Sequence, residues 1–213
     1  MKSRNFVGVA AVLAVFVLPF AARAASEPIE PAMAKQYIAE VGKQVVALLN
    51  GPGLGPEERN ERFSQLMLKH IDFRQLGKRV LGRMLRKSTP DQREEFYRLF
   101  AARFIDTLNE MIQGLDVTGF TTGRSRTYPN NEVIVATVID KADGPKFEAG
   151  WRLASKGGAL KVVDIYVQGA SAAGHFRDRI ASSTHTSISG NIAKLKSELA
   201  GSQTLQVVLA HMN

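Results

Sequence analysis

Cysteine is absent from this chain of 213 residues. Its absence excludes disulfide bonds, thiol nucleophiles and every cysteine-ligated metal site. The fold must therefore be stabilised by core packing, without covalent cross-links. Histidine is nearly as scarce: none of the four, His70, His175, His185 and His211, lies three or four positions from another, so the spacing of a helical zinc motif is missing.

Motifs that would support catalysis are absent as well. No Gly-x-Ser-x-Gly sequence occurs, and the stretch from Gly169 to Gly174 lacks the required spacing. The glycine-rich stretch from Gly51 to Pro56 contains two prolines and is not followed by Lys-Ser or Lys-Thr, so a turn is favoured over a phosphate-binding loop. We therefore expect no enzymatic activity, no catalytic residue, no metal and no cofactor, although folding could still bring together carboxylates that are distant in sequence.

Long hydrophobic runs are missing except near the start of the sequence, from Phe6 to Phe20. This run follows Lys2 and Arg4 and precedes Ala22-Arg-Ala24, a small-x-small sequence. It is shorter than the roughly 20 residues that a membrane-spanning helix needs. The pattern predicts a signal peptide over residues 1–24 that is cleaved after Ala24, export of the mature chain, and a single domain over residues 25–213.

Positive charge exceeds negative charge, and the net charge is +8. No nucleic-acid-binding motif accompanies it, so export together with a basic surface favours an anionic membrane or an acidic partner over nucleic acid. The densest basic stretch runs from Arg74 to Lys87. Arg79 and Arg83 would share one face of a helix there, which makes them candidates for contacting a lipid headgroup or a docking partner, although a merely solvated face is an equal alternative.

Apolar residues recur every three or four positions over much of the first half of the chain, which predicts helices. Asp72 with Gln75, and Thr89 with Gln92, have the spacing of boxes that cap helix N-termini. Gly51 suits the end of the first helix. The three main apolar stripes are Ile38/Val41/Val45/Leu48, Phe63/Leu66/Met67/His70 and Phe96/Phe100/Phe104/Leu108/Met111.

The apolar period changes to two after Gly114, which predicts strands. We place four strands near residues 117–127, 132–140, 146–155 and 160–168, joined by short turns that favour an antiparallel meander. Phe147, Ala149, Trp151 and Leu153 give the third strand one apolar face, whereas the second strand is apolar on both faces and should be covered on both sides. Helices near residues 171–181 and 192–199 follow, and no pattern assigns the tail after Gly201. The predicted fold class is segregated α+β.

Several of these residues occur together in a known order. The stretches are Asp72 with Val80-Leu-Gly82, Ser88-Thr-Pro-Asp-Gln-Arg-Glu-Glu-Phe96 with Phe100, Val162-Val-Asp-Ile-Tyr-Val-Gln-Gly-Ala-Ser171 with Arg177, and Ile192-Ala-Lys-Leu195. In this order they resemble the MlaC/toluene-tolerance family, and the resemblance spans about residues 33–200. Leu160, Val163 and His175 stand where the family commonly has other residues.

The resemblance implies a periplasmic phospholipid-binding component of an ABC-transporter system that maintains outer-membrane lipid asymmetry. It implies helices wrapped around a curved four-stranded antiparallel sheet, similar to the nuclear-transport-factor-like cone, with acyl chains in an apolar cavity and the headgroup outside. The expected partners are a phospholipid and the membrane-bound transporter components of the inner and outer membranes. Because the family has a hopanoid-associated branch, a hopanoid is an alternative cargo.

The apolar faces of the helices and the sheet would by themselves be expected to fill each other, which describes a structural or interaction protein with a packed core. The resemblance instead favours a cavity between them. We expect eight residues to line this lipid-binding cavity: Phe100, Phe104, Leu108, Val135, Trp151, Leu153, Ile165 and Val167.

Overall fold

The computed structural model describes residues 28–112, 116–182 and 187–212. The predicted signal peptide, residues 1–24, lies outside the described residues. In the part of the chain that the structure describes, no helix combines the length and the apolar character needed to cross a membrane.

The first half of the described chain is helical, as the apolar periodicity predicts. Both predicted caps form: the Gln75 amide donates to Asp72 Oδ1 at 3.0 Å, and Thr89 and Gln92 exchange two bonds of 3.0 and 3.2 Å between side chain and backbone. Gly51 differs from the prediction, because its backbone is extended (φ −64°) and not left-handed. The helices are α1 (Pro31–Asn50), α2 (Pro56–His70), α3 (Phe73–Leu81) and α4 (Pro90–Ile112), with a 3-10 helix (Gly82–Lys87) between α3 and α4.

The second half contains an antiparallel sheet whose strands are ordered as in the sequence. They are β1 (Val117–Tyr128), β2 (Glu132–Lys141), β3 (Phe147–Lys156), β4 (Ala159–Val167) and β5 (Ala170–Ser171). The four predicted strands are confirmed, and β5 was missed because two residues are too few to display a period. Register shifts between Thr122 and Ser125, and between Arg152 and Leu153, bend the sheet. The predicted α+β class with a curved antiparallel sheet is confirmed.

Three further helices follow: α5 (Ala172–Ala181), α6 (Ile188–Glu198) and α7 (Gln203–His211). The sequence pattern does not predict α7. Ser202 caps this helix by accepting the Leu205 amide at 3.2 Å, and its buried residues Thr204 and Val208 help to pack it against α2 and α4. A helix of nine residues is marginal alone, so tertiary packing stabilises it.

β2 lies inside the sheet, but only one of its faces is well covered. Val133 and Val135 on the inner face are fully buried, whereas Ala136 on the outer face is exposed. The prediction that both sides are covered is therefore wrong. The apolar outer residues lie instead beside long polar side chains of the neighbouring strand, with Arg152 directly opposite Ile134 in the register.

Candidate functional site

An apolar cavity of about 210 Å³ lies between α1, α2, the C-terminal end of α4 and the inner face of β1, β2 and β3. Every side chain in its wall is a hydrocarbon, a thioether or an aromatic ring. Its walls are formed by Ile38, Val41, Gly42, Val45, Val46, Leu49, Phe63, Met67, Leu108, Met111, Ile112, Val117, Phe120, Ile139, Phe147 and Trp151.

Burial along these walls gives the cavity a direction. At one end Ile38, Phe63 and Met67 are no more than 3% exposed. At the other end Leu49 is half-buried and Met111 is 41% exposed. The mouth therefore lies at the C-terminal ends of α1 and α4, next to the first residues of β1 and β3 and the last residues of β2.

The indole N–H of Trp151 is a polar donor in the cavity wall, and it is hydrogen-bonded within the protein. Trp151 Nε1 donates to Thr137 Oγ1 at 2.9 Å, and the Thr137 hydroxyl donates to the Ala149 carbonyl at 3.2 Å. Thr137 is 1% exposed, so both bonds are shielded from water. The cavity surface is therefore apolar, and its indole N–H is already hydrogen-bonded within the protein. Such a surface favours a hydrocarbon ligand and would leave a buried polar group without a hydrogen-bond partner.

The wall between α1 and β1 depends on Gly42. A Cβ at this position would overlap the Phe120 ring, with Phe120 Cγ only 2.6 Å away. Glycine therefore allows the ring to lie directly against the helix backbone. At the mouth, Asn50 Nδ2 donates to the Val117 carbonyl at 2.9 Å and joins the end of α1 to the start of β1.

Near the inner end, α1 is joined to α2 by a hydrogen bond of 2.9 Å between Tyr37 Oη and His70 Nδ1. Burial, together with the charges of Lys69 and Lys161, lowers the pKa of His70 to about 4. Burial raises the pKa of Tyr37 to about 12. Both side chains are therefore neutral around neutral pH, so the bond between the two helices is uncharged.

Of the eight residues predicted to line a lipid-binding cavity, Leu108 and Trp151 lie in the wall of this cavity. Val167 packs, partly buried, against the core and away from the wall. The remaining five, Phe100, Phe104, Val135, Leu153 and Ile165, lie in the packed core with at most 2% exposure, which corrects their assignment.

The phenylalanine ridge of α4 is filled by α5 rather than left open. Phe176 lies 5.3 Å from Phe100 and 5.5 Å from Phe104 between ring centroids.

Sequence reasoning missed most of the actual wall, above all the six positions of α1. The sequence did contain a signal for this wall. α1 is apolar at Val46 and Leu49 as well as along the stripe that includes Val45, so its apolar face is wider than packing against a single element requires.

Arg79 and Arg83 lie far from the mouth. Arg79 forms an ion pair with Glu132, whose side chain is 5% exposed, at the first residue of β2, whereas the mouth lies at the other end of that strand. Ten residues of strand correspond to about 30 Å. The structure therefore separates both arginines from a headgroup at the mouth. They belong instead to a basic surface formed by Lys78, Arg79, Arg83, Arg86 and Arg177.

Within the described ranges, no group of three or more His, Asp or Glu side chains is placed to hold a metal ion.

The chain and its fold were compared with known proteins. No curated protein matches the chain significantly. A solved structure, the phospholipid-binding protein from Ralstonia solanacearum in complex with a phospholipid, shares the fold with a TM-score of 0.64 and 17% sequence identity, covering 83% of this chain and 97% of that one. The family model described as "MlaC protein" matches residues 39–200. Because this match covers well over half of the sequence, the chain belongs to the MlaC family.

Proposed function

We propose that the protein is a periplasmic lipid carrier, which holds the acyl chains of a phospholipid in its apolar cavity and leaves the headgroup at the mouth. It would shuttle this cargo between inner- and outer-membrane components of an ABC-type lipid transport system and release it chemically unchanged. The observation that supports the proposal most directly is the cavity itself, which has apolar walls, a buried inner end and a mouth at the C-terminal ends of α1 and α4. Family membership and the phospholipid bound to the Ralstonia solanacearum protein support the same cargo class.

The size of the cavity sets the energy of binding. A cavity of about 150 Å³ holds benzene, so by proportion a cavity of 210 Å³ holds roughly eight carbons. At about 0.8 kcal/mol per methylene, moving eight of them from water into the cavity stabilises the complex by about 6 kcal/mol. A bilayer offers the same chains an equally apolar environment, so the net preference over a membrane is small. Loading and delivery therefore depend on docking partners.

Replacing Val46 with tryptophan is expected to abolish lipid retention. Val46 lies in the cavity wall on α1, and an indole there excludes several carbons of the cargo. Excluding about three methylenes costs about 2.4 kcal/mol, which weakens the affinity for the lipid roughly fiftyfold. The measurement is native mass spectrometry of protein expressed with its N-terminal residues and purified without detergent, followed by identification of the extracted lipid.

The matched control is Ala47→Trp, which adds the same ring to the exposed side of α1 and should retain wild-type lipid. A wild-type protein that purifies without lipid and takes none from vesicles would support a structural protein with a packed core. A bound hopanoid would replace the phospholipid in the proposal. A lipid that is converted on the protein would contradict the carrier function itself.

Charge reversal on the basic surface should slow delivery without affecting retention. Arg83 and Arg86 are exposed and share a surface with Arg79, which pairs with Glu132 at the end of β2 opposite the mouth, so Arg83→Glu with Arg86→Glu leaves the cavity intact. Each cation near an anionic surface contributes about 1 kcal/mol, so reversing two slows transfer to phosphatidylglycerol vesicles by at least about tenfold at low salt. The control Arg124→Glu with Arg126→Glu makes the same charge change on exposed β1 residues. Loss of retention in the Arg83/Arg86 variant would show instead that these residues hold the headgroup.

A further inference from the structure

We propose that the rim of the cavity selects a zwitterionic phospholipid over an anionic one, with Lys141 as the contact for the lipid phosphate. The inference rests on the proposed function and adds the class of headgroup and a residue that receives it. Arg79, which the sequence made a headgroup candidate, lies at the opposite end of β2, and the wall of the cavity is apolar. A contact to the headgroup must therefore come from the rim of the mouth.

The rim is the set of described residues that surrounds the mouth. It consists of residues 47–50 at the end of α1, 109–112 at the end of α4, Asp116, and 140–146 from the end of β2 to the start of β3. The Ala142 amide donates to the Asp116 carbonyl at 2.8 Å, and Val117 lies opposite Lys141 in the register. A headgroup whose acyl chains occupy the cavity lies against these residues.

Lys141 is the cation of the rim that faces the cavity. Side chains alternate between the two faces of a strand, so Lys141 lies on the same face as Ile139, and both Ile139 and the register partner Val117 line the cavity. Lys141 is half-buried and forms no ion pair with any described residue. An ammonium group without a counterion at an apolar opening suits the phosphate of a lipid whose chains lie inside.

Lys146, the other cation of the rim, already has a counterion. Its side chain is 72% exposed and pairs with Asp140 at 2.9 Å. By the same alternation Asp140 lies on the outer face of β2, away from the cavity. The pair therefore adds no net charge to the mouth, and Lys146 is a matched control for Lys141.

The rest of the rim is negatively charged. Asp116 and Asp143 are exposed, and neither forms an ion pair in the described part of the chain. The C-terminal ends of α1 and α4 add partial negative charge, because neither helix has a basic residue in its last turn. Glu110 lies in the last turn of α4, but it is paired with Arg103 at 3.4 Å.

This arrangement of charges complements a zwitterion. Lys141 attracts a phosphate, whereas the two carboxylates and the helix ends attract an ammonium group attached to it, as in phosphatidylethanolamine. Phosphatidylglycerol has the phosphate without the ammonium group, so the carboxylates repel it. The selection is a local property of the rim, because the net charge of +8 on the whole chain would favour the anionic lipid.

A competition between two lipids with identical acyl chains tests the selection. Delipidated protein is mixed with vesicles containing equal amounts of phosphatidylethanolamine and phosphatidylglycerol, and the bound lipids are quantified by native mass spectrometry. The wild-type protein should retain more phosphatidylethanolamine. Replacing two exposed carboxylates, Asp116→Lys with Asp143→Lys, should lower the ratio of phosphatidylethanolamine to phosphatidylglycerol about fivefold at low salt.

The control Glu40→Lys with Asp178→Lys makes the same charge change on exposed residues of α1 and α5 away from the mouth, and it should keep the wild-type ratio. Equal retention of the two lipids by wild-type protein, or an unchanged ratio in the rim variant, would overturn the selection and leave the carrier function standing. No uptake of either lipid by wild-type protein would instead contradict the carrier function.

The role of Lys141 is tested with a lipid that lacks the phosphate. Lys141→Gln should weaken the affinity for phosphatidylethanolamine about fivefold, the value of one partly exposed ion pair. Its affinity for diacylglycerol, which has the same chains and no phosphate, should equal that of the wild type. Lys146→Gln should bind both lipids as the wild type does. Wild-type affinity of Lys141→Gln for phosphatidylethanolamine, or an equal loss with diacylglycerol, would show that Lys141 does not hold the phosphate.

Discussion

Replacement of Glu132 by alanine is expected to destabilise the protein by about 3 kcal/mol or more, because it leaves two arginines without their shared counterion in a largely buried site. The Glu132 side chain is 5% exposed and pairs with both Arg79 and Arg152. Arg152 is 17% exposed and also donates from Nε to the Tyr166 hydroxyl at 3.1 Å. The cluster joins α3 to the outer face of the sheet, so its loss should loosen both.

Urea unfolding monitored by circular dichroism measures this effect. The control is Glu58→Ala, which breaks the exposed pair between Glu58 and Arg62 within α2 and should cost less than about 1 kcal/mol. If Glu132→Ala lowers the free energy of unfolding no more than Glu58→Ala does, the cluster does not hold α3 to the sheet.

The same carboxylate contributes to the acid sensitivity of the fold. Burial alone would raise the pKa of Glu132, but hydrogen bonds from Arg152 and Asn130 and the nearby charge of Arg79 outweigh it and hold the pKa below its ordinary value of 4.5. The native state therefore binds fewer protons than the unfolded chain, and this stability is lost as pH falls below about 4.5. Glu132→Gln should reduce the slope of stability against pH in that range.

The second large effect is a loss of stability on mild acidification, from about pH 7 to about pH 5. The pKa of His70 falls from 6.5 to about 4 on folding, so the unfolded chain takes up a proton in this range while the native protein does not. Stability is therefore present above pH 6.5 and lost as pH falls toward 4, with a loss of about 2 kcal/mol at about pH 5. The positive side chains of Lys69 and Lys161 contribute by opposing a further positive charge.

The measurement is the free energy of unfolding at the two pH values for wild type and His70→Gln. The variant should be less stable at neutral pH, because the bond to Tyr37 is altered, and its stability should vary less with pH. His175→Gln is the control, since His175 is exposed and its replacement should leave the wild-type pH dependence in place. A wild-type protein equally stable at both pH values would contradict the assignment to His70.

Much of the fold was predictable because its signals are local. The bonds between Asp72 and Gln75, and between Thr89 and Gln92, join residues three apart, so the sequence alone determines where α3 and α4 begin. The alternation along β3 likewise depends on nearest neighbours and the pleat. α7 was missed because its stability comes from contacts with α2 and α4, which the tail itself does not display.

The candidate site was less predictable because a cavity is the absence of a contact. Phe100 and Val45 are both apolar residues on helical stripes, and nothing local distinguishes them. In the folded protein Phe176 fills the space beside Phe100, whereas no side chain fills the space beside Val45. Similarly, the sequence made Arg79 a candidate for binding a headgroup. The folded protein pairs it instead with Glu132, which is 53 positions away in the sequence.

By itself the sequence determined the α+β class, the order of the main elements and the family resemblance, since each depends on short-range periodicity, capping or a linear order of motifs. Only the tertiary structure decided which apolar faces fill one another and which leave room, and where the mouth lies. The physical reason is that packing energy depends on atoms brought together from distant parts of the chain, and Gly42 against Phe120 is such a contact.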